Sequence, residues 1–136
     1  MFADVAAPYG IIVMYESLNH TESVFGLRIQ EGADLVKKIN RPNLKIVFDI
    51  YHMAMEQEDI QELEYALPYV HHIHIAERRY PSDALYDYYK KLLTPVIRSG
   101  YQGAICTEAF DGDVREGAER SIDLLKKIVA EIEQEG

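Results

Sequence analysis

The sequence predicts an α/β protein in which four strand-helix units follow one another and form a parallel sheet covered by helices. Four short runs rich in valine and isoleucine alternate with longer segments whose apolar residues recur at helical spacing. Strict alternation favours parallel strands, because parallel neighbours need long return connections. No Ser/Gly-rich linker or low-complexity block interrupts the pattern. We therefore expect one domain over residues 1–136.

The first half of the chain holds two of these units. The first strand is predicted at residues 10–16 and its helix at 22–39, where an apolar stripe recurs about every 3.6 residues. The stripe consists of Val24, Leu27, Ala33, Val36 and Ile39. The second strand is predicted at 44–50 and its helix at 59–67, ending before Pro68, which cannot continue a helix.

The second half repeats the plan. The third strand is predicted at residues 71–77 and its helix at 83–99, which Pro95 should kink or divide. A glycine-containing turn leads into a fourth strand at 104–108, followed by a last helix at 115–133. We expect this last helix to bury Ile122, Leu125, Ile128 and Val129.

The composition excludes several classes of protein. The chain has 14 Lys and Arg against 23 Asp and Glu, a net charge of -9, which argues against nucleic acid or an anionic membrane as a partner. The longest apolar run, residues 11–15, is far shorter than the roughly 20 residues that a bilayer requires. The first residues lack the basic region of a signal peptide, so we expect a cytoplasmic protein. A single cysteine, Cys106, leaves His, Asp and Glu as metal ligands.

An acid or a histidine stands at the end of each predicted strand: Glu16, Asp49, His74 and Glu108. Parallel α/β folds carry their ligand sites at the carboxyl ends of the strands, so these four side chains could meet. Three carboxylates brought together repel one another unless a cation or a shared proton compensates. An oxygen-rich set with one imidazole favours Mn²⁺, Mg²⁺ or Co²⁺.

Other polar residues near these strand ends have two possible roles each. His52, three residues after Asp49, could reach a substrate oxygen or could be an ordinary loop histidine. Glu22 could serve a ligand or could stabilise the first turn of its helix. Arg78 and Arg79 could bind a hydroxyl or phosphate oxygen, or could form a solvated pair.

Taken together, these residues resemble the xylose isomerase-like TIM barrels that contain sugar and sugar-phosphate isomerases and 3-epimerases. The matching segments span nearly the whole chain. They are Glu16-Ser17-Leu18-Asn19 with Glu22, Asp49-Ile50-Tyr51-His52-Met53, His72-Ile73-His74-Ile75-Ala76-Glu77, and Tyr101-Gln102-Gly103-Ala104 leading to Glu108. The second segment also resembles the hydroxypyruvate isomerase branch.

The resemblance implies roles for these positions. In the 3-epimerase branch, the positions that match Glu16, Asp49, His74 and Glu108 bind a divalent metal, with Mn²⁺ the expected ion. The two glutamates also exchange protons with the substrate through an enediolate. The positions of Glu22 and His52, and an arginine best matched by Arg78, contact the sugar or sugar phosphate. The loop after the third strand is about two residues shorter than in the epimerases, so Arg79 remains an alternative.

The resemblance covers only the second half of such a barrel. A complete barrel needs eight units and typically about 250 residues, so we expect a (β/α)4 half-barrel that is part of a longer protein or assembles as a homo-oligomer or with a separate N-terminal half. The half-barrel could be inactive alone. Two other functions stay open: a non-catalytic assembly module that keeps a metal site, and a phosphoesterase related to AP endonucleases.

Overall fold

The computed structural model describes residues 2–111 and 113–135, without the side chains of Arg78, Arg79, Phe110 and Asp111. The strands are β1 (Val13–Glu16), β2 (Leu44–Asp49), β3 (Val70–Arg79) and β4 (Ala104–Asp111). The α-helices are α1 (Phe2–Ala6), α2 (Ile29–Ile39), α3 (Ile50–Met55), α4 (Ile60–Ala66), α5 (Tyr86–Arg98) and α6 (Val114–Gln134). Short 3-10 helices lie at Ala7–Tyr9, Leu67–Tyr69 and Asp83–Leu85.

The four strands form one parallel sheet in the order β1-β2-β3-β4, which confirms the predicted fold class. In the β1-β2 pair, Val13 lies opposite Leu44 and Glu16 lies opposite Val47. Because side chains alternate along a strand, Asp49 lies on the same face as Val47 and therefore as Glu16. The register thus puts these two acids on one face, with Asp49 one pleat further along.

The chain divides into two compact units, Met1–Ile73 and His74–Gly136. In the first unit, α2 packs against β2 and α4. Its core consists of apolar residues that are almost fully buried: Ile29, Ala33, Val36, Ile46, Phe48, Leu63 and Ala66. Three of these lie on α2 at the spacing of one helix face, so burial of that face holds α2 on the strand.

In the second unit, α5 and α6 pack against each other. The buried residues of α5 are Tyr89, Leu92, Leu93 and Val96, and those of α6 are Ser121, Leu124, Leu125, Ile128 and Ile132. Near the start of α6, a Cβ atom on Gly117 would lie 2.0 Å from the Tyr80 ring, so this close approach requires glycine. None of the described helices is long and apolar enough to cross a membrane.

The largest difference from the predicted elements is in residues 17–28, which precede α2 without joining it. The predicted helix at 22–39 begins only at Ile29, because Gly26 has a φ of +64° and Arg28 is extended. Val24 is 91% exposed, so its assignment to the apolar stripe was wrong.

Three further predictions need correction. Residues 50–55 form α3 directly after β2, whereas the prediction placed Ile50 in the second strand and began the next helix only at residue 59. Helix α5 runs through Pro95 as one helix, so Pro95 does not divide it, because Leu93 and Val96 on either side are buried; a kink at Pro95 stays a prediction. Ile122 is 46% exposed, because α6 turns Leu124 and Leu125 to the core in its place.

Gly26 offers a test of how residues 17–28 are held. A Cβ atom there would lie 1.7 Å from the Tyr15 hydroxyl oxygen, whereas one on Gly10, whose φ is +67°, would meet nothing within 4 Å. We expect Gly10→Ala to lower the free energy of unfolding by about 1–2 kcal/mol, the cost of left-handed backbone. Gly26→Ala should cost roughly 1–3 kcal/mol more, because the methyl group also overpacks the site.

Urea denaturation of both variants measures this difference. Tyr15→Phe removes the hydroxyl oxygen, so it should restore part of the stability of Gly26→Ala and none of the stability of Gly10→Ala. Equal losses for the two glycine variants would contradict the proposed contact.

Candidate active site

The four predicted metal ligands lie in the sheet, two in each unit. Glu16 and Asp49 are the last residues of β1 and β2 in the first unit. His74 and Glu108 lie in β3 and β4 of the second unit, and both strands continue beyond them, to Arg79 and Asp111. The acid or histidine is therefore the last strand residue in the first unit only.

The Asp49 carboxylate caps helix α3. Its Oδ1 accepts hydrogen bonds from the backbone amides of Tyr51, at 2.7 Å, and His52, at 3.3 Å. The residue is only 6% exposed. Because a buried carboxylate is costly unless it is paired or hydrogen-bonded, these two bonds both orient the side chain and offset part of the cost of burying it.

His52 lies in the first turn of α3 and is buried. Its Nε2 lies 4.0 Å from Glu16 Oε1, and its Nδ1 lies 4.0 Å from Glu22 Oε1. The Tyr51 ring packs edge-on against the imidazole, with the ring centroids 5.5 Å apart. The structure thus brings together three residues predicted to act on a substrate, Glu16, Glu22 and His52.

Asn19 connects the parts of this site, and sequence reasoning assigned it no role. Its side chain is fully buried. Its Nδ2 lies 2.8 Å from Glu22 Oε1 and 2.9 Å from His52 Nδ1, and its Oδ1 accepts a hydrogen bond from the Thr21 amide. The sequence could have pointed to Asn19 only through its position between Glu16 and Glu22 in the motif. Because a single asparagine is common in loops, that position did not suggest a role.

In the second unit, His74 and Glu108 form a pair. His74 Nδ1 lies 3.1 Å from Glu108 Oε2, and the two side chains are 23% and 50% exposed. His72 and His74 alternate with the buried Ile73 and Ile75, so both histidines lie on one face of β3. The side chains of Arg78 and Arg79 lie outside the described residues, so the prediction of a substrate contact stays a prediction.

Charged contacts anchor the segment that carries Asn19 and Glu22. Arg28 forms a two-point ion pair with Glu62, in which its Nε lies 2.8 Å from Glu62 Oε2, and it also donates to the Glu56 carbonyl. His20 binds the Glu56 carboxylate through its backbone amide, at 2.7 Å, and its ring Nδ1, at 2.6 Å. Polar contacts therefore hold both ends of residues 20–28 against Glu56 and Glu62, which follow α3 in the chain.

Glu58 completes this charged group. One of its carboxylate oxygens accepts a hydrogen bond of 2.8 Å from the Ile29 amide at the start of α2. Burial raises the pKa of Glu58 from 4.5 to about 7, with a smaller contribution from the neighbouring Glu62 charge. The side chain thus binds its proton far more tightly than an exposed glutamate does.

Comparison with known proteins gives one consistent family. Residues 2–128 match the family described as xylose isomerase-like TIM barrel. The D-psicose 3-epimerase of Ruminiclostridium cellulolyticum is 30% identical over 111 residues, which cover 79% of this chain and 38% of that protein. The ketose 3-epimerase of Arthrobacter globiformis is 33% identical over 116 residues, which cover 82% and 39%. The chain thus spans about two fifths of these relatives.

A solved structure supports the fold. The crystal structure of the IolI protein with a binding zinc atom aligns with a TM-score of 0.76 at 18% identity, covering 96% of this chain and 53% of that one. At this identity the likeness concerns the fold alone. It confirms the prediction that the chain resembles about half of a barrel.

The raised pKa of Glu58 predicts how stability depends on pH. The unfolded chain releases this proton near 4.5 and the folded chain near 7, so the folded state binds more protons between these values. We expect the free energy of unfolding to fall as the pH rises from about 4.5 to about 7. Glu58→Gln, which stays uncharged, should lose this decrease.

Urea denaturation at several pH values measures the effect. Glu64→Gln, at an exposed position of α4, is the matched control and should keep the pH dependence of the unchanged protein. If the free energy of unfolding falls with pH equally in Glu58→Gln and in the unchanged protein, Glu58 is not the source of the pH dependence.

Proposed function

The chain belongs to the xylose isomerase-like TIM barrel family, and on this premise we propose that it acts in a metal-dependent sugar or sugar-phosphate isomerase or epimerase. Its relatives include proteins named D-psicose 3-epimerase, ketose 3-epimerase and inosose isomerase. The observation that carries the proposal is the arrangement in the first unit, where Glu16 and the buried Asp49 accompany His52 and Glu22. The small-molecule substrate is a sugar or its phosphate.

The donor set fits a divalent cation. Glu16, Asp49 and His74 each offer one ligand atom that could hold a metal ion, and Glu108 is paired with His74. We propose that these four residues form one centre. Three carboxylates and one imidazole suit Mn²⁺, Mg²⁺ or Co²⁺, and of these we propose Mn²⁺. The zinc atom named for the IolI structure supports a divalent metal in this fold.

The proposed chemistry is proton transfer at the carbon next to a carbonyl. The bound cation would supply positive charge that stabilises the enediolate form of the sugar. Glu16 removes the proton as a base, and Glu108 delivers one from the opposite face, which inverts the centre. Delivery by the same carboxylate to the neighbouring carbon would instead exchange aldose and ketose. The two glutamates are thus the catalytic pair.

Three other residues are proposed to hold the sugar. His52 and Glu22 contact its hydroxyl groups from the first unit, and Arg78, near the end of β3, binds a hydroxyl or phosphate oxygen. His52 is buried and fixed by several contacts, so it can orient a hydroxyl with little loss of side-chain entropy. A complete site is proposed to need further barrel units, from an N-terminal half or a second copy of the chain.

Asp49 provides a test of the metal centre. Asp49→Asn keeps Oδ1, the oxygen that caps α3, and removes the charge that a cation requires. We expect Mn²⁺ affinity to fall by at least about tenfold, because loss even of outer contacts to a metal ligand costs 10–100-fold. Isothermal titration calorimetry of the purified chain measures this change.

Asp59→Asn is the matched control, since Asp59 also caps a helix, α4, by accepting from a backbone amide. It should leave Mn²⁺ affinity unchanged. An equal loss in both variants would attribute the effect to helix capping. The unchanged protein failing to bind Mn²⁺ would overturn the metal centre.

Deuterium exchange tests the catalytic pair. With saturating Mn²⁺ and a ketose in D₂O, we expect the protein to introduce deuterium at the carbon next to the carbonyl, as followed by proton NMR. Glu108→Gln and Glu16→Gln should each slow this exchange by at least about 100-fold, the usual contribution of a general acid or base.

Glu119→Gln, at an exposed position of α6, should exchange at the unchanged rate. Tight Mn²⁺ binding by the unchanged protein without any exchange would contradict catalysis and favour a non-catalytic module that keeps the metal site.

A further inference from the structure

We propose that Asn19 is a positioning residue that fixes the proton of the neutral His52 ring on Nε2, so that His52 offers Nε2–H to a substrate oxygen. The identity of that oxygen as part of a sugar rests on the function proposed above. The placement of the proton rests on the hydrogen bonds around Asn19 alone.

The first step is the orientation of the Asn19 side-chain amide. Its Oδ1 lies 2.9 Å from the Thr21 backbone nitrogen and 2.5 Å from the Thr21 hydroxyl oxygen. A backbone N–H can only donate, so the atom facing it must be the oxygen. The Nδ2 group therefore points the other way, toward Glu22 and His52.

The second step assigns an acceptor to each of the two hydrogens on Asn19 Nδ2. Two atoms lie within hydrogen-bond distance: Glu22 Oε1 at 2.8 Å and His52 Nδ1 at 2.9 Å. A carboxylate oxygen can only accept. One hydrogen therefore binds Glu22, and the other points at His52 Nδ1.

The third step assigns the ring. Nδ1 of His52 faces Asn19 Nδ2 and also accepts from the Asn19 backbone amide at 3.3 Å. Because both neighbours donate, Nδ1 must provide its lone pair, and the single proton of a neutral imidazole is on Nε2. Asn19 and His52 are both buried. If Nδ1 carried the proton, the Asn19 amide group would be a buried donor without an acceptor there, which is energetically costly.

This arrangement has a consequence for the site. Glu16 Oε1, at the end of β1, lies 4.0 Å from Nε2, beyond hydrogen-bond distance. A sugar hydroxyl or carbonyl oxygen beside Glu16 could therefore accept the hydrogen on Nε2. Asn19 Nδ2 also bridges Glu22 Oε1 and His52 Nδ1, which lie 4.0 Å apart, and so helps to hold the two side chains in place.

The test is the nitrogen NMR spectrum of the histidine rings in the complete chain, without metal or sugar. At about pH 8 an ordinary imidazole is uncharged. Long-range proton-nitrogen correlation then distinguishes the protonated ring nitrogen from the unprotonated one, and His52→Gln assigns the signals by their loss. We expect His52 to have an unprotonated Nδ1 and a protonated Nε2. A protonated Nδ1 in the unchanged protein would overturn the proposal.

Asn19→Asp tests the cause. The new side chain has nearly the same shape, but its second oxygen can only accept, so we expect Nδ1 of His52 to gain a proton and its nitrogen signal to move to the position of a protonated ring nitrogen. Asn43→Asp is the matched control, because Asn43 also donates through its side-chain amide, to the carbonyls of Ala3 and Ile11. It should leave the His52 signals unchanged.

A folded Asn19→Asp protein in which Nδ1 stays unprotonated would show that Asn19 does not control the ring. If this variant does not fold, the spectrum of the unchanged protein still decides where the proton lies. The spectra of the unchanged protein and of Asn19→Asp are both recorded without a sugar. An absence of epimerase activity would therefore overturn the proposed function but not the role of Asn19.

Discussion

The site in the first unit depends on the cap that Asp49 provides for α3. Strand β2 ends at Asp49 and the helix begins at the next residue, so the capping carboxylate belongs to both elements. Its bonds to the amides of Tyr51 and His52 fix the first turn of α3. That turn carries the His52 ring to within reach of Glu16 and Asn19. One carboxylate thus sets the position of a histidine and is itself the proposed ligand of a cation.

The segment before α2 depends on a different constraint, which is close packing around Tyr15. The Tyr15 hydroxyl donates to the Gly26 carbonyl, and a Cβ atom on Gly32 would lie 3.1 Å from the Tyr15 ring. The two glycines let residues 17–28 and α2 approach the end of β1. Charged contacts of Arg28 then hold the far end of the segment. Packing and ion pairs therefore fix Asn19 and Glu22 without regular secondary structure.

The sequence predicted the alternation of strands and helices, because hydrophobic periodicity reports burial directly. It also marked Glu16, Asp49, His74 and Glu108 as candidate metal ligands, because each stands near the end of a predicted strand, and their role as ligands stays a proposal. It missed α3, whose six residues are too few for a helical period to appear, and it extended α2 across Gly26. Asn19 was missed for another reason. Its role comes from three partners, and contacts as distant as His52 leave no pattern in the sequence.

The first unit contains two carboxyl groups, the half-buried Glu58 and the buried Asp49, with different surroundings. Glu58 lies beside Glu56, Glu62 and an arginine that is already paired with Glu62, and burial raises its pKa to about 7, so it binds a proton more tightly than an exposed glutamate does. Asp49 is buried, but its Oδ1 receives two amide hydrogen bonds that fix the orientation of the carboxylate. It also lies on the same face of the sheet as Glu16. A protonated carboxyl group is a poor metal ligand, so we propose Asp49, and not Glu58, for the metal centre.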